Sequence, residues 1–228
     1  MRIVSSALLC ALAFNLTFFW QEVWLVIPKA LTPGLHPILY HNDHEWSGAS
    51  PVVELLQGTG AIATLVLGLG FAIARRRSFS FWMAFQGLFM SLTQLAIGTR
   101  LPGNDVGRAL AYLGVGASGK AALLAAAVLA MLAAGVALAR IRPPLGEAIA
   151  AALLTILLAV PFRLPRNLVE VLLIPAIVQG AGLASLLAGS ALVRVRATIR
   201  APSPAMPAMA LLVLLAVFQL VLRPGIAF

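Results

Sequence analysis

The chain has 228 residues, of which 61% are hydrophobic and only 10% are charged. About 25% of the residues in an ordinary soluble domain are charged, and a soluble domain of this size could not bury so much apolar surface. The composition therefore excludes a secreted disulfide-stabilised domain, a disordered tail and a nucleic-acid-binding domain. It predicts an all-α protein that crosses a membrane several times.

The net charge of +9 arises mostly from arginines that lie between apolar segments. In so apolar a chain, this pattern is typical of loops that face anionic lipid headgroups rather than nucleic acid. The single cysteine, Cys10, excludes an intramolecular disulfide and a metal site built from several thiolates. We therefore expect membrane lipids as partners of the chain, and no nucleic acid.

Seven apolar segments are long enough to cross a membrane, because a hydrocarbon core of about 30 Å needs roughly 20 helical residues. Prolines and arginines occupy most of the joints between these segments. The first segment continues without the cleavage site of a signal peptide, so we expect a retained span. The predicted spans are Ile3–Ile27, Val52–Ala74, Phe81–Gly98, Ala121–Ala139, Glu147–Phe162, Leu168–Val193 and Met206–Leu222.

The distribution of basic residues predicts the orientation of these spans, since cytoplasmic loops carry an excess of Lys and Arg. More basic loop residues lie on the side of the N-terminus than on the opposite side. We therefore expect residues 1–228 to form one membrane domain with a cytoplasmic N-terminus and an external C-terminus. The longest connection, loop 28–51, then lies outside. The abundance of Arg and Ala is typical of GC-rich bacterial genomes, so we expect a multi-pass protein of the bacterial inner membrane.

Polar and ionisable residues gather near the external ends of the predicted spans. Ionisable groups inside a membrane are costly, although they cost least at helix ends, and long basic side chains can extend to the interface. Glu22 lies between Trp20 and Trp24 and is too short to extend far. We expect it to face the bundle and to meet a polar group from another span or from loop 28–51. The residues of this predicted polar site are Glu22, Glu54, Gln57, Gln94, Lys120, Arg163 and Glu170.

Loop 28–51 contains all three histidines of the chain within nine residues. Imidazole and carboxylate groups are common protein ligands of Zn and other divalent metals. A divalent metal such as Zn is therefore the one cofactor that the loop suggests, with Glu22 and Glu54 beside it as candidate catalytic residues. The candidate metal ligands are His36, His41, His44, Asp43 and Glu45.

The spacing of these candidate ligands matches no established metal motif. One helical turn would place His41 and His44 on the same face, and Pro37 would provide the bend that brings His36 to them. Turns, caps and headgroup contacts explain the same polar residues in an interfacial loop without a metal. The sequence leaves both interpretations open.

The segment Gly114–Ala121 matches the glycine spacing of nucleotide-binding loops. However, Ala121 replaces the hydroxyl residue that would hold magnesium, no predicted strand precedes the segment, and a predicted span follows it. We therefore expect no nucleotide cofactor. Close approach of neighbouring helices, or a helix break before the fourth span, explains these glycines better.

Three functions from different classes agree with these features. A non-catalytic subunit or scaffold that docks a protein partner through loop 28–51 is favoured by the small number of polar residues and by the lack of a complete catalytic set. The alternative is a metal-dependent membrane enzyme that acts on a lipid or other apolar substrate at the outer leaflet. A transporter would line an outward vestibule with the polar site, but the sequence lacks the internal repeat of many transporters.

Overall fold

The computed structural model describes residues 2–74, 77–195, 198–200 and 202–228. It is mostly helical, as the composition predicts, with a small antiparallel sheet at one end of the helices. The helices are α1 (Arg2–Ala30), α2 (Val53–Leu56), α3 (Thr59–Ile73), α4 (Ser78–Gly98), α5 (Asp105–Tyr112), α6 (Ala117–Ala139), α7 (Leu145–Leu158), α8 (Val160–Arg163), α9 (Leu168–Leu192) and α10 (Ala205–Val217), which a π-helical turn extends over Phe218–Leu222. The strands are β1 (Leu35–Leu39), β2 (His44–Gly48) and β3 (Ile226–Ala227).

Five helices in the described part of the chain are long and apolar enough to cross a membrane. They correspond to five of the seven predicted spans and indicate a membrane protein. These helices are α1, α2 joined to α3, α6, α9, and α10 with its π-helical turn. They cover Arg2–Ala30, Val53–Ile73, Ala117–Ala139, Leu168–Leu192 and Ala205–Leu222.

The third predicted span forms α4, which has 21 residues but does not contain a window apolar enough to count among those five helices. Its Ser, Thr and Gln side chains account for the difference. Every residue from Phe81 to Thr93 is buried, because α4 packs against α1, α3, α6 and α9. A helix surrounded by other helices does not need the continuous apolar surface of one that faces lipid.

The fifth predicted span, Glu147–Phe162, is divided between α7 and α8. α7 has 14 residues and ends where Ala159 leads into the short helix α8, whose first turn contains Pro161. Proline fits there because the first turn does not need its missing N–H donor. Ala148 and Ala151 are fully buried on α7, which packs against α1, and their small side chains allow the two helices to approach closely.

Two glutamines join α4 and α9 in the middle of the bundle. The Gln179 Nε2 amide donates to Gln86 Oε1 at 3.0 Å, and the Gln86 Nε2 amide donates to Gln179 Oε1 at 3.3 Å and to Cys10 Sγ at 3.1 Å. All three side chains are almost completely buried. Because unpaired amides are costly in an apolar interior, this reciprocal pair fixes the register of α1, α4 and α9.

The predicted loop 28–51 contains regular structure. α1 continues through Pro28 to Ala30, and β1 and β2 then form a hairpin whose register runs from Leu35 opposite Gly48 to Leu39 opposite His44. The C-terminal strand β3 adds to the other edge of β1, so the C-terminus returns to the loop that follows α1. The 29 residues of α1 therefore separate the N-terminal end of the bundle from the end that carries the sheet, which we call the sheet end.

A candidate cation site at the sheet end

A cavity of about 480 Å³ lies between α1, α4, α5 and α9 at the sheet end. Both polar and apolar side chains line it, and the apolar Phe18 and Met90 lie one helical turn further from the sheet end than Glu22 and Gln94 on the same helices. The polar lining residues are Gln21, Glu22, Asp43, His44, Thr93, Gln94, Asn104, Asp105 and Arg166. The apolar lining residues are Phe18, Met90, Ile97, Leu101, Ile174, Ile177 and Val178.

Lys29, His44 and Glu22 form a buried chain of hydrogen bonds. Lys29 Nζ lies 3.0 Å from His44 Nε2, and His44 Nδ1 lies 2.8 Å from Glu22 Oε2. The side chains of His44 and Glu22 are only 7% and 5% exposed. An ammonium group can only donate, so Nε2 accepts from Lys29 and Nδ1 donates its proton to Glu22. The expected contact between Glu22 and loop 28–51 is therefore present, and it links α1 to the start of β2.

Glu22, Asp43 and His44 can together hold a metal ion. One ligand atom from each residue lies within 4.8 Å of the other two. Two carboxylates and an imidazole form a donor set that suits Zn and other divalent transition metals. A metal bound at Nδ1 would replace the proton that His44 gives to Glu22, so its binding would release a proton and strengthen as the pH rises.

The carboxylates around the cavity repel one another. Burial and the nearby charge of Glu22 raise the pKa of Asp105 to about 6. Burial also raises the pKa of Asp43, although Arg166 Nη2 lies 2.6 Å from Asp43 Oδ1 and acts in the opposite direction. A cation entering this cluster would reduce the repulsion, which favours cation binding over binding of a neutral group.

The indole of Trp46 packs beside the hydrogen-bonded chain. The ring of His44 stacks on it with centroids 5.7 Å apart, and Lys29 Nζ lies 4.8 Å from its centroid. The Arg108 guanidinium lies 5.2 Å from the same ring and binds both carboxylate oxygens of Glu54, at 2.6 and 2.7 Å. Glu54 therefore contributes to the site indirectly, by holding Arg108 against Trp46.

The structure places the other loop residues away from the cation cluster. His41 is buried against Phe218, with ring centroids 5.9 Å apart, and its Nε2 lies 3.0 Å from the Leu164 carbonyl oxygen. Burial lowers the pKa of His41, so its ring is neutral at pH 7. His36 is exposed on β1, and Glu45 is exposed on β2.

The hairpin explains this separation of the histidines. His44 begins β2 and the chain bends at 41–42, so the helical turn considered for His41 and His44 is absent. Side chains alternate between the two faces of a strand, and His36 lies on the exposed face of β1, between buried Leu35 and buried Pro37. The described residues that form the cation cluster are thus one histidine with Glu22 and Asp43.

Besides Glu22, two members of the predicted polar site lie at or near the cavity wall. Gln94 lines the cavity and donates to Gln21 Oε1 at 2.7 Å, which connects α4 to α1. Glu170 lies outside the cavity lining, 3.7 Å from Arg166 Nη1, and accepts from Asn167 Nδ2 at 2.7 Å. Arg166 therefore contacts both Glu170 and the metal-ligand candidate Asp43.

The remaining members of the predicted polar site have different environments. Gln57 is buried, and neither polar atom of its side chain has a hydrogen-bond partner in the described part of the chain. Lys120 lies in the first turn of α6 and is partly exposed. Arg163 is buried at the end of α8, and its carbonyl oxygen accepts from Asn42 Nδ2 at 2.7 Å.

Sequence reasoning missed Asn104 and Asp105, which reach the cavity through the connection between α4 and α6. A signal for them exists in the sequence, because Asn and Asp are typical of helix N-termini. Asn104 indeed caps α5, its side chain accepting from the Gly107 N–H at 2.6 Å. Nothing in the local sequence, however, shows that α5 packs against α4 and α2 beside the cavity.

The glycine-rich segment 114–120 follows the helix α5, and its last residues begin α6. A Cβ at Gly114 or Gly116 would meet no atom of the described residues within 4 Å, and Gly114 has φ +64°, so these glycines mark the predicted helix break between α5 and α6 and not a close approach of helices. Comparison of the chain with protein-family models, with curated proteins and with solved structures finds no match. Functional inference therefore depends on the chemistry of the cavity.

Proposed function

We propose that this protein is a metal-dependent membrane enzyme that acts on a lipid or other apolar substrate in the cavity beside His44. The observation that supports this best is the convergence of Glu22, Asp43 and His44 on one wall of a cavity large enough for a ligand. Glu22 belongs to α1, whereas the adjacent residues Asp43 and His44 belong to the hairpin that follows it.

The division of the cavity supports an amphipathic substrate. Carboxylate, imidazole and guanidinium groups line its part near the sheet, whereas Phe18, Met90 and Ile174 line the deeper part. A lipid would place its polar group beside the metal ligands and its chain against these apolar side chains. This arrangement agrees with the outer-leaflet substrate that the sequence suggests.

The chemistry of such a site follows from its donor set. A divalent metal held by Glu22, Asp43 and His44 would polarise an oxygen of the substrate or lower the pKa of a bound water. Asp105 lines the same cavity and is the candidate for proton transfer to or from that oxygen. Lys29 orients His44 from the opposite side of the ring.

The proposal includes the topology predicted from the arginines. It has one membrane domain of seven spans, with α4 and α7 as the third and fifth, in the bacterial inner membrane. The N-terminal end is cytoplasmic and the sheet end is external. Support comes from the positions of Arg2 and β3 at opposite ends of the bundle, because an odd number of crossings places the two ends of the chain on opposite sides of the membrane.

Reporter fusions would test this orientation. Fusions at Arg77 and Arg200 should be cytoplasmic and one at Asp43 external, and the reverse pattern would contradict it.

The metal content of the purified protein tests the proposed function. We expect about one divalent metal ion per chain for the wild type and a loss of at least roughly tenfold in affinity for His44→Ala, because ligand removal opens the site. His36→Ala is the matched control, since His36 is exposed in the same hairpin. Equal metal content in the two variants, or no metal in the wild type, would contradict the proposal.

A second function is favoured by the sheet itself. β2 and β3 form its two edges, and Glu45 and Ser47 are exposed on β2. Exposed edges can pair with a strand of another protein, which supports a subunit or scaffold that docks a partner through loop 28–51. A photo-crosslinking residue at Ser47 would then trap one partner in stoichiometric yield, and His44→Ala would leave this yield unchanged.

A further inference from the structure

A second amphipathic cavity lies at the N-terminal end of the bundle, opposite the cation cluster. It has a volume of about 680 Å³ and lies where the start of α4 meets the segment that leads into α10. Its charged lining residues are Arg77 and Arg200, and neither forms a salt bridge with a described residue. The hydroxyl residues Ser78, Ser80 and Thr198 also line it. The cavity therefore offers positive charge and hydroxyl donors to an anion.

Positive charge is in excess at this end of the bundle. A smaller neighbouring cavity shares Arg200 with the first cavity and is also lined by Arg2 and Glu147. Even with Glu147 ionised, three arginines and one carboxylate line the two cavities. A bound anion would reduce the repulsion among the arginines, whereas a cation would increase it.

The segment that carries Arg200 is fixed against the bundle on both sides of this residue. Ile199 is buried, and its N–H donates to the Arg142 carbonyl oxygen at 3.4 Å. The Ser5 hydroxyl donates to the Pro202 carbonyl oxygen at 2.6 Å. Arg200 lies between these two anchors and is itself exposed. The backbone thus holds Arg200 at the cavity and leaves its charge accessible.

An apolar groove continues from this cavity along the outside of the bundle. It has a volume of about 530 Å³ and lies between α1 and α10, and Met206 lines both the cavity and the groove. Met206, Met209 and Val213 share one face of α10 by their spacing and are each more than half exposed. From Met206 to Val217, the last groove residue of α10, the helix rises about 16 Å, and one leaflet of the hydrocarbon core is about 15 Å deep. The groove is therefore long enough for the acyl chain of a lipid in one leaflet.

We propose that the cavity and the groove together bind an anionic phospholipid, with its phosphate at Arg77 and Arg200 and one acyl chain between α1 and α10. The planar guanidinium fork suits phosphate oxygens, and basic pockets between membrane helices are typical of sites for anionic headgroups. The polar and apolar parts meet at Met206, as a headgroup and its chain meet at the glycerol. A second copy of the chain would fill the groove but leave the two arginines without a counter-charge. The site lies at the end opposite the cation cluster, so this inference does not depend on the proposed function.

Two lipids with the same oleoyl chains test the headgroup. Full-length protein in a neutral maltoside detergent is titrated with dioleoyl phosphatidylglycerol or with dioleoyl phosphatidylcholine, and its melting temperature is measured. Choline cancels the phosphate charge, so we expect phosphatidylglycerol to raise the melting temperature with an apparent affinity at least roughly fivefold higher. Equal responses to the two lipids, or no response to either, would overturn the proposal.

Substitution of the two arginines tests the position of the phosphate. Arg77→Gln and Arg200→Gln should each weaken the apparent affinity for phosphatidylglycerol roughly tenfold, because each removes charge-assisted hydrogen bonds. Both residues are exposed, so the melting temperature without lipid should stay close to that of the wild type. Arg140→Gln is the matched control, since Arg140 is exposed at the end of α6 and does not line the cavity. An equal loss of affinity in Arg140→Gln would show general attraction to the basic surface and would refute a defined site.

Substitution on α10 tests the position of the acyl chain. Val213→Trp fills the groove without a change of charge and should weaken the response to phosphatidylglycerol. Leu212→Trp is its control, because Leu212 is 68% exposed on the same helix and lies outside the groove lining. An equal response in the two variants would contradict the assigned chain position.

Two further measurements distinguish other occupants. Inorganic phosphate at the concentration of the lipid should not raise the melting temperature, and a shift equal to that of phosphatidylglycerol would show that the groove is not used and overturn the proposal. The mass of the protein in detergent should be the same for Val213→Trp and the wild type. A wild-type dimer that Val213→Trp dissociates, with an unchanged lipid response, would assign the groove to a second copy of the chain and refute the lipid site.

Discussion

The two ends of the bundle each contain a buried glutamate, and their surroundings differ. At the sheet end, Glu22 lies beside a cavity with Asp43, His44 and Asp105. At the opposite end, Glu147 accepts a hydrogen bond from the Ser6 hydroxyl and lies in the first turn of α7. The dipole of α7 favours a negative charge at that position.

This difference is the reason for proposing a binding role for Glu22 and not for Glu147. Glu147 has one donor among the described residues and a favourable helix terminus, and the charged groups that line a smaller cavity of about 280 Å³ with it are Arg2 and Arg200, of opposite sign. Glu22 has a donor in His44 but also faces further carboxylates and open volume. Burial alone therefore does not indicate function in this protein. The proposed role of Glu22 rests instead on the neighbouring carboxylates and on the cavity that they line.

The largest expected effect comes from breaking the chain of hydrogen bonds at the sheet end. His44→Ala removes the partner of both Lys29 and Glu22 and should lower the free energy of unfolding by about 3–5 kcal/mol, the cost of leaving buried charges unpaired. Reversible unfolding in mixed micelles would measure it. A change as small as that of His36→Ala would show that water replaces His44 without cost.

The free energy of unfolding should depend on pH through the ionisation of the Asp105 carboxyl group. Its pKa in the folded protein, about 6, exceeds the ordinary value of 3.8, so the protonated form is favoured by folding. The protonated carboxyl group of Asp105 makes its full contribution to the free energy of unfolding below pH 4, and this contribution is lost as the pH rises through 6. Asp105→Asn does not titrate, so it should gain stability relative to the wild type over this range, on the order of 2 kcal/mol.

Unfolding at several pH values between 4 and 7 would measure this gain. A constant difference between Asp105→Asn and the wild type would contradict the proposed repulsion among the carboxylates.

The smallest effect is expected at the opposite end of the bundle. Ser6→Ala removes the one described donor to Glu147 and leaves the helix dipole in place, so the stability should fall by only about 1 kcal/mol. Metal content should not change. A loss of metal in Ser6→Ala would show that the two ends are coupled, and the distinction between them would fail.

Much of the fold follows from local sequence properties. Hydrophobic length identifies five of the spans, and the position of Glu22 between two tryptophans predicts that it turns inward. The sequence also predicts a span at α4, but it does not predict the burial among four other helices that allows polar residues there. The amide pair of Gln86 and Gln179 has the same origin, since its partners lie 93 residues apart.

Local sequence predicts less of the candidate site than of the fold. Residue types singled out Glu22, Asp43 and His44, but they gave equal weight to His36 and His41. The choice among the histidines depends on the hairpin register and on the bend at 41–42, which β1 and the distant strand β3 help to fix. Asp105 and Arg166 join the site through tertiary folding of other connections.

The most direct test of the central claim is the location of a bound metal. Crystals grown with zinc and measured at the zinc absorption edge should show one anomalous peak per chain, at about 2.0–2.2 Å from ligand atoms of Glu22, Asp43 and His44. Crystals of His44→Ala should lack it. A peak at exposed His36 or Glu45 instead, or no peak at the sheet-end cavity, would contradict the account.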